Sequence, residues 1–529
     1  MATLIGLAVR IKDPENILGR GEDLGITCVL CPSSTPGVVL GRRHNPMGIP
    51  FFNCPTSDKD VVLSVEQVIG GAEGIGRGWQ MLMECLAAGR SISLPSQSAG
   101  GVKGLMRVVS AYSVVRRQFG VAIGQFEGIE EPMARIVGLG YLMEAVRIYT
   151  AGAVDSGLKP AVVSAIAKFT QTELARKLVN DAMDIMGGAG ISRGPRNRVA
   201  NGYIGAPIAI TVEGANILTR SMIIFGQGAI RCHPFAYKEV KALMAKDYAA
   251  FDAAFWGHVG HVIRNGFRAI LLSLSRGYLA SVPAGPGSNY CRKLAWASAT
   301  FAIWADIAMG TLGGTLKLRE KLTGRYADIL SWMYLASATL KRFEAEGRKP
   351  EDRDAFDWAM QYCLARIQEG FDGIFANFKL PVVGGLVCKV LGIWSRVNQI
   401  GRDPEDRLGH RLAQAIQKPG SFRDRLTDGI VVSSIPGDAS DRLEEAFRLA
   451  HESEKILGKI AAAVKRKALP KKRAPHLVKE ALAANIITQD EAKLLERTIK
   501  SHEEVIQVDS FALDEFRSTL LDMKAAPAK

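Results

Sequence analysis

The feature that most limits how this chain can fold is a long helical periodicity. After Pro160, apolar side chains recur at steps of three and four residues, which is the spacing of one buried helix face. The residues concerned are Val163, Ile166, Ala167, Thr170, Leu174, Leu178 and Ile185. Similar helical patterns, separated by Gly-rich joints such as Gly100-Gly101, run from Gly76 to about Gly228, and most of the remaining chain follows them. The sequence therefore predicts a mainly α fold.

The N-terminal residues differ, because short β-prone runs alternate there with Gly, Pro and Asn/Asp turns. The runs are Leu4–Ile11, Ile26–Leu30 and Val61–Val65. A few strands with open edges form only part of a sheet. We therefore predict part of an antiparallel β-domain over residues 1–70, a helical bundle over 71–232 and a second all-α domain over 233–529.

Charge and cysteine usage narrow the classes of partner. The formal net charge is +14, which favours anionic partners, but no nucleic-acid-reading motif accompanies it. We therefore expect the anionic partner to be a phosphate-bearing cofactor or substrate, and we expect no nucleic acid. Eight cysteines without disulfide-like spacing, and no signal peptide after Met1, indicate a reducing cytoplasm.

The sequence supports neither a metal site nor a spanning helix. His258 and His261 share a helical face, but no Cys, Asp or Glu at ligand spacing completes a set. No apolar stretch reaches the roughly 20 residues that a spanning helix needs. The segment Lys379–Trp394 could rest on a membrane surface, although a buried helix of the C-terminal domain is the favoured interpretation.

One isolated carboxylate is the leading candidate for chemistry. Glu213 is the only acidic residue between Asp184 and Glu239, and it lies in the apolar run Ala209–Leu218. A carboxylate that is deprived of water and of neighbouring acids gains basicity, which suits a general base. The alternative is a helix-entry carboxylate that binds backbone amides or pairs with Arg220.

Two further motifs suggest a cofactor. The run Gly187–Gly194, followed by Arg196 and Arg198, combines close backbone approach with positive charge, which suits a pyrophosphate or a flat cofactor edge. Val115–Gly120 ends a long helix with two arginines, a glutamine and a phenylalanine. The alternatives are helix packing for the glycines and compensation of the helix dipole for the arginines.

Together these motifs resemble the acyl-CoA dehydrogenases. That family carries an Arg-x-Gln-Phe-Gly helix ending, a Gly-Gly-x-Gly joint and a Glu-Gly motif, here Arg116–Gly120, Gly187–Gly190 and Glu213-Gly214. The extension from about His233 is similar to that of bacterial long-chain enzymes of fatty-acid β-oxidation. The resemblance implies that the family's N-terminal helical domain and first β-strands would precede Met1, so the flavin pocket would be incomplete.

The resemblance also implies an activity. It is that of an FAD-dependent oxidoreductase that converts medium- to long-chain acyl-CoA to trans-2-enoyl-CoA, with Glu213 removing the α-proton while hydride passes to flavin. Arg90 and Gly214 would support the base. The FAD contacts would be Arg116, Gln118, Phe119, Gly187, Gly188 and Gly190, with the first three serving a neighbouring subunit.

The implied partners follow from the same resemblance. They are an acyl-CoA substrate, an electron-transferring flavoprotein and further copies of the chain. From the cysteine usage and from the segment Lys379–Trp394, the expected location is a bacterial cytoplasm or the periphery of the inner membrane. Two other functions stay open. One is a catalytically incomplete fragment that serves as an acyl-CoA-binding or oligomerisation module, and the other is an acyl-CoA oxidase that uses oxygen.

Overall fold

The computed structural model describes residues 3–49, 53–378, 384–433, 435–512 and 515. The described chain is mainly helical with small antiparallel sheets, which confirms the predicted fold class. In the first sheet, β1 (Leu4–Lys12) pairs antiparallel with β2 (Asp23–Pro32), from Leu4 opposite Pro32 to Lys12 opposite Asp23. The two predicted runs at Leu4–Ile11 and Ile26–Leu30 lie within these strands.

The other sheets are short ladders. They are β3 (Val38–Leu40) with β4 (Thr56–Asp58), and β5 (Arg117–Gln118) with β6 (Val121–Ala122). The predicted strand at Val61–Val65 is wrong. Ser64 and Gln67 form a reciprocal capping box that begins a 3-10 helix at Val65–Gln67, so the backbone turns instead of extending.

Helices account for the rest of the architecture. In the first half they are α1 (Gly71–Gly74), α2 (Gly78–Ser91), α3 (Ser93–Val115), α4 (Glu127–Asp155), α5 (Ala161–Met186), α6 (Gly188–Ile191), α7 (Ala200–Thr211), α8 (Asn216–Leu218) and α9 (Gly228–Cys232). A π-helix spans Thr219–Gln227.

The second half continues in the same manner. Its helices are α10 (Ala236–Met244), α11 (Tyr248–Leu274), α12 (Ser288–Leu312), α13 (Glu320–Ala345), α14 (Arg353–Asn377), α15 (Gly384–Val397), α16 (Asp406–Ile416), α17 (Ser421–Leu426), α18 (Ala439–Lys465), α19 (Val478–Ala483) and α20 (Gln489–Val505). Further 3-10 helices lie at Ile123–Gln125, Gly313–Leu318, Pro350–Asp352 and Ala474–Leu477.

The periodicity on α5 predicted its buried face. The six members of the predicted stripe that lie between Ile166 and Ile185, inclusive, are buried, and Val163 is half-buried. Pro160 is the N-cap of this helix. The predicted joint at Gly100-Gly101 is wrong, because both glycines lie inside α3.

One large core joins helices from both halves of the chain. It extends from Ala99 on α3 to Phe447 on α18. At one junction the ring of Phe225 stacks on that of Tyr326 with 4.5 Å between centroids. A smaller cluster packs the end of α18 against α19 and α20. The predicted boundary at residue 233 thus runs through shared packing, and the division into two helical domains stays a prediction.

The segment Lys379–Trp394 is partly outside the described residues, which leave out 379–383. Its described part begins α15, on which Leu386, Val390 and Ile393 are exposed. The favoured interpretation of a buried helix is therefore wrong for this part. Within the described chain no single helix has the length and apolarity to cross a membrane, and one bent pair passes by length and composition alone: Ala200–Thr211 with Asn216–Cys232.

Candidate functional site

Glu213 lies in a sharp turn directly after α7. Its φ is 55° and that of Gly214 is 96°, so two successive residues adopt left-handed backbone conformations. Only glycine does so without strain, and a Cβ at position 214 would also lie 3.2 Å from Thr219 Oγ1. A side-chain-bearing residue held at positive φ is uncommon, and such strain often occurs at functional sites.

The end of α2 supports this turn. A Cβ on Gly89 would lie 2.7 Å from Glu213 Oε1, so the glycine lets the carboxylate approach the helix surface. The neighbouring Arg90 donates from Nε to the backbone oxygen of Glu213 at 2.7 Å. The structure thus brings together three of the predicted residues, namely Arg90, Glu213 and Gly214.

A buried lysine on α5 holds the same turn from the other side. Lys168 Nζ donates to the backbone oxygen of Gly214 at 2.7 Å, to that of Ile210 at 3.2 Å and to Asn216 Oδ1 at 2.7 Å. Burial, and next the positive charge of Arg90, lower the pKa of Lys168 to about 8, while the Glu213 carboxylate opposes this shift. Sequence reasoning missed Lys168, whose only signal was a charge inside an apolar helical stripe.

Asn216 completes the support. Its Nδ2 donates to Thr172 Oγ1 and to Glu173 Oε1, both at 2.9 Å, so that the start of α8 is bonded to α5. With Lys168 this fixes the chain on both sides of Glu213. The turn is therefore held by contacts from α2 and α5, together with a local hydrogen bond from Thr219 Oγ1 to the Gly214 backbone oxygen at 3.2 Å.

The alternative pairing of Glu213 with Arg220 is not seen. Arg220 makes a bidentate ion pair with Asp328 on α13, with Nε 2.7 Å from Oδ1. Glu213 Oε2 is buried and has no hydrogen-bond partner among the described residues. A buried acceptor without a partner is rare in native proteins. Its free lone pairs suit a group that accepts a proton from a bound molecule.

A large apolar cavity begins beside this turn. It has a volume of about 910 Å³, and Val212, the neighbour of Glu213, forms part of its wall. Glycines on two helices widen it: Gly100, Gly101 and Gly104 on α3, and Gly202 and Gly205 on α7. Charged side chains, Arg107, Arg198 and Glu444, also line the cavity. Its size and lining are typical of pockets that enclose an apolar small molecule.

Most of the other predicted positions are exposed. Gln118 and Phe119 are exposed, Arg116 is half-buried, and Phe119 adopts a φ of 51°. Gly187 has a φ of 54° and ends α5. Among the described residues no hydrogen bond links these two turns, so within one copy of the chain they form separate surfaces.

The glycine joint nevertheless presents an open backbone. Gly187 and Gly188 are exposed, and a Cβ on either would meet no atom within 4 Å. Gly190 is buried instead, and a Cβ there would lie 3.2 Å from the Met183 carbonyl oxygen, so this glycine serves packing. The first two glycines fit the close approach of a flat or phosphate-bearing group, as the sequence suggested.

A histidine and carboxylate cluster lies elsewhere, between α10, α11 and α12. His233, His258 and Asp306 bring their ligand atoms within 4.8 Å of one another. The sequence argument found His258 but missed its partners, because Asp306 and Glu239 lie on other helices. His258 Nδ1 is 2.8 Å from Glu239 Oε1, and its Nε2 is 3.4 Å from Asp306 Oδ1.

The hydrogen bonds of His233 favour a polar network over a metal site. Its Nδ1 accepts backbone N–H groups of Phe235 and Ala236 at 3.2 and 3.0 Å, so the ring proton belongs on Nε2, which faces Asp306 Oδ1 at 2.9 Å. Burial opposes ionisation of Asp306, but the two histidines outweigh it and hold the pKa of that carboxyl below its usual value. The absence of a metal site stays a prediction.

Family models of known proteins match both helical parts of the chain. The model of the acyl-CoA dehydrogenase C-terminal domain of bacterial type matches residues 230–511, and that of the general acyl-CoA dehydrogenase C-terminal domain matches residues 76–225. The chain belongs to the acyl-CoA dehydrogenase family. The resemblance found in the motifs is thereby confirmed, together with the bacterial type of the C-terminal extension.

Curated relatives extend the match. This family member is 25% identical over 395 residues to the probable acyl-CoA dehydrogenase FadE10 of Mycobacterium tuberculosis, covering 70% of this chain and 58% of the relative. A stretch of 96 residues is 48% identical to Protein HemX of Proteus mirabilis, covering 18% of this chain and 56% of that protein. The chain thus spans less than two thirds of the length of these relatives.

Solved structures share the fold. An acyl-CoA dehydrogenase complexed with FAD from Bacillus anthracis is similar with a TM-score of 0.60 at 17% identity, covering 79% of this chain and 68% of the other. Arabidopsis thaliana acyl-CoA oxidase 1 is similar with a TM-score of 0.52 at 12% identity, covering 85% and 68%. At these identities the likeness establishes the arrangement of helices in this acyl-CoA dehydrogenase family member and nothing finer.

Proposed function

We propose that this chain carries the catalytic base of a flavin-dependent acyl-CoA dehydrogenase acting on medium- to long-chain thioesters in β-oxidation. Glu213 removes the α-proton of the bound acyl group, and the product is the trans-2-enoyl-CoA. The observation that carries the proposal is the buried, unpartnered oxygen of Glu213 beside an apolar cavity. Family membership supplies the reaction class.

The surrounding residues act on the position of the base. Arg90 donates to the backbone oxygen of Glu213 and Lys168 to that of Gly214, so the carboxylate is aimed before substrate arrives. Such preorganisation lowers the cost of reaching a reactive geometry. The apolar wall at Val212 places the cavity for the acyl chain next to the base.

The cofactor proposed for this chain is FAD. The open backbone at Gly187 and Gly188 suits its diphosphate, with Gly190 supporting the joint, and Arg116, Gln118 and Phe119 would contact the FAD of a neighbouring copy. When bound, the flavin would accept hydride from the β-carbon of the acyl group. Homo-oligomers, an electron-transferring flavoprotein as electron acceptor and a cytoplasmic location complete the proposal.

The test begins with the purified chain and added FAD. We expect flavin absorbance bands that bleach when palmitoyl-CoA is added without oxygen. The variant Glu213→Gln should retain flavin but lose bleaching by at least about a hundredfold in rate, as expected for loss of a general base. Glu131→Gln, an equivalent change at an exposed position on α4, should bleach like the unchanged chain. Unaltered bleaching in Glu213→Gln would remove Glu213 from the mechanism.

A second function is favoured by the cavity alone. If the chain takes up no flavin, it can still bind an acyl chain as a module without redox activity. Calorimetric titration with palmitoyl-CoA in the absence of FAD would then show binding, whereas no binding with or without FAD would contradict both functions. Release of hydrogen peroxide in air during turnover would indicate an oxidase instead.

A further inference from the structure

The long helix α11 has an exposed apolar stripe. Trp256, Ile263, Phe267, Ile270 and Leu274 recur at steps of three, four and seven residues, so they share one side of the helix. Each of these side chains is more than half exposed. Of the 27 residues of α11, three are buried: Ala254, Asn265 and Leu272. The stripe is about 27 Å long at 1.5 Å per helical residue.

A second exposed stripe adjoins the first. On α15, Leu386, Val390, Ile393 and Val397 follow at the same helical spacing and are each more than half exposed. The two helices touch where Trp394 Nε1 donates to Ser273 Oγ at 2.8 Å and Asn398 Nδ2 donates to the Ser273 backbone oxygen at 2.7 Å. We call these two stripes, with the charged residues beside them, the α11/α15 face.

Beyond Asp252 near the start of α11, the charge of this face has one sign. No Asp or Glu occurs between Asp252 and Asp306, nor between Asp372 and Asp403. The exposed cations of these stretches on or directly after the two helices are Arg264, Arg268, Arg276, Lys389 and Arg396. Apolar side chains bordered by Lys and Arg, with aromatic rings among them, are typical of helices that lie in the plane of a membrane interface.

The charge of the α11/α15 face also distinguishes between two binding partners, a second copy of the chain and a lipid surface. A second copy of the chain docked through the same face would bring these cations against each other, and like charges across an interface oppose association. A surface of anionic phospholipid complements both the cations and the apolar stripes. Large exposed apolar patches generally mark a contact surface. We infer that the α11/α15 face docks on an anionic phospholipid bilayer, with its stripes at the boundary between headgroups and acyl chains.

Docking in this manner is separate from the chemistry at Glu213 and does not depend on it. The indoles of Trp256 and Trp394 suit the headgroup level, where amphipathic rings are favoured. Arg264 and Arg268 follow Ile263 and Phe267 along α11 and would meet lipid phosphates. The consequence is a peripheral protein that binds the membrane from one side.

Cosedimentation of the whole chain with vesicles tests the inference. We expect binding to vesicles of phosphatidylcholine mixed with phosphatidylglycerol, much weaker binding to phosphatidylcholine alone, and loss of binding at high salt. Changing Ile263, Phe267 and Ile270 together to Ser should weaken binding by about tenfold or more, because their apolar area no longer enters the bilayer. Arg264→Gln with Arg268→Gln should reduce the preference for phosphatidylglycerol.

The matched control carries the same number of Ser substitutions at exposed apolar positions elsewhere, Ile17, Val62 and Leu158. It should bind vesicles like the unchanged chain, and circular dichroism should give equal melting curves for all variants. Failure of the unchanged chain to bind either vesicle would overturn the inference. The inference would also be overturned if the control lost as much vesicle binding as the triple Ser variant. The same holds if the triple Ser variant turns an oligomer into a monomer without changing vesicle binding.

Discussion

At the scale of single residues, the site depends on a buried charged side chain, that of Lys168. Lys168 is fully buried, and its ammonium group donates three hydrogen bonds to the turn around Glu213. Removing it takes a donor from the Ile210 and Gly214 carbonyls and from the Asn216 amide oxygen, and leaves Thr219 Oγ1 as a donor to Gly214 alone. Each such loss is costly in a buried place. The lysine is therefore a positioning residue for the proposed base.

The lowered pKa of Lys168 gives a pH dependence of stability. The folded protein has a pKa of about 8 for this group against 10.5 in the unfolded chain, so the unfolded state binds more protons between these values. The free energy of unfolding should therefore rise from about pH 8 toward pH 10.5, relative to the variant Lys168→Met. Urea unfolding of both proteins across this range measures the difference. A difference that does not change with pH would contradict the shift.

The glycine at position 104 should set the room for the acyl chain, if the cavity holds it as proposed. A Cβ there would meet no atom within 4 Å, so a large side chain can enter the cavity without displacing its walls. Gly104→Phe should weaken binding of palmitoyl-CoA by about tenfold or more while butyryl-CoA is little affected. Calorimetric titration measures both. Gly152→Phe, at an open position on α4, is the control and should bind both ligands normally.

Residues of the site differ in how well the sequence predicted them. Glu213 was predictable because an isolated acid in an apolar run is unusual in itself. Gly89 and Lys168 were not, because their role depends on α2 and α5 meeting a turn that comes 45 or more residues later in the chain. The partners of His258 were missed for the same reason. Contacts between distant segments leave no periodic signal in a single sequence.

At the scale of elements, close helix packing depends on a few glycines. On α4, a Cβ at Gly138 would lie 2.1 Å from Trp358 Cε3 on α14, which is well inside van der Waals contact. Helix periodicity predicts that this face is buried, but it does not show that an indole lies against the glycine. The same limit applies to Gly100 and Gly101, because the pair predicts a joint but lies inside α3.

Gly138→Ala should therefore destabilise the protein although alanine is the better helix former. The added methyl must displace Trp358, which costs about 1–3 kcal/mol in a well-packed core. Gly152→Ala on the same helix is the matched control, because its Cβ meets nothing within 4 Å, and it should be neutral or stabilising by up to about 1 kcal/mol. Thermal melts followed by circular dichroism compare the two. Equal melting temperatures would show that α4 and α14 do not pack this closely.

At the scale of the whole molecule, the helical halves are bound by polar contacts as well as by the core. Arg423 on α17 is almost fully buried and pairs with Glu444 on α18, which also accepts two hydrogen bonds from Arg107 on α3. Burial opposes ionisation of Glu444, but the two arginines outweigh it and hold the pKa of its carboxyl below the usual value. The predicted boundary at residue 233 followed the end of a helical pattern with Gly-rich joints near Gly228, not a break in packing.

A shared core predicts that the two halves unfold together. Leu178 on α5 and Ile374 on α14 are both fully buried in it, and truncation of either to Ala should cost about 2–5 kcal/mol. Because one cooperative unit has one transition, each variant should lower the same main calorimetric peak. Leu318→Ala, at an exposed position, should leave it in place. If the trace instead shows two peaks, and each variant shifts a different peak, residues 71–232 and 233–529 are independent domains. A stable C-terminal fragment beginning near residue 233 would indicate the same.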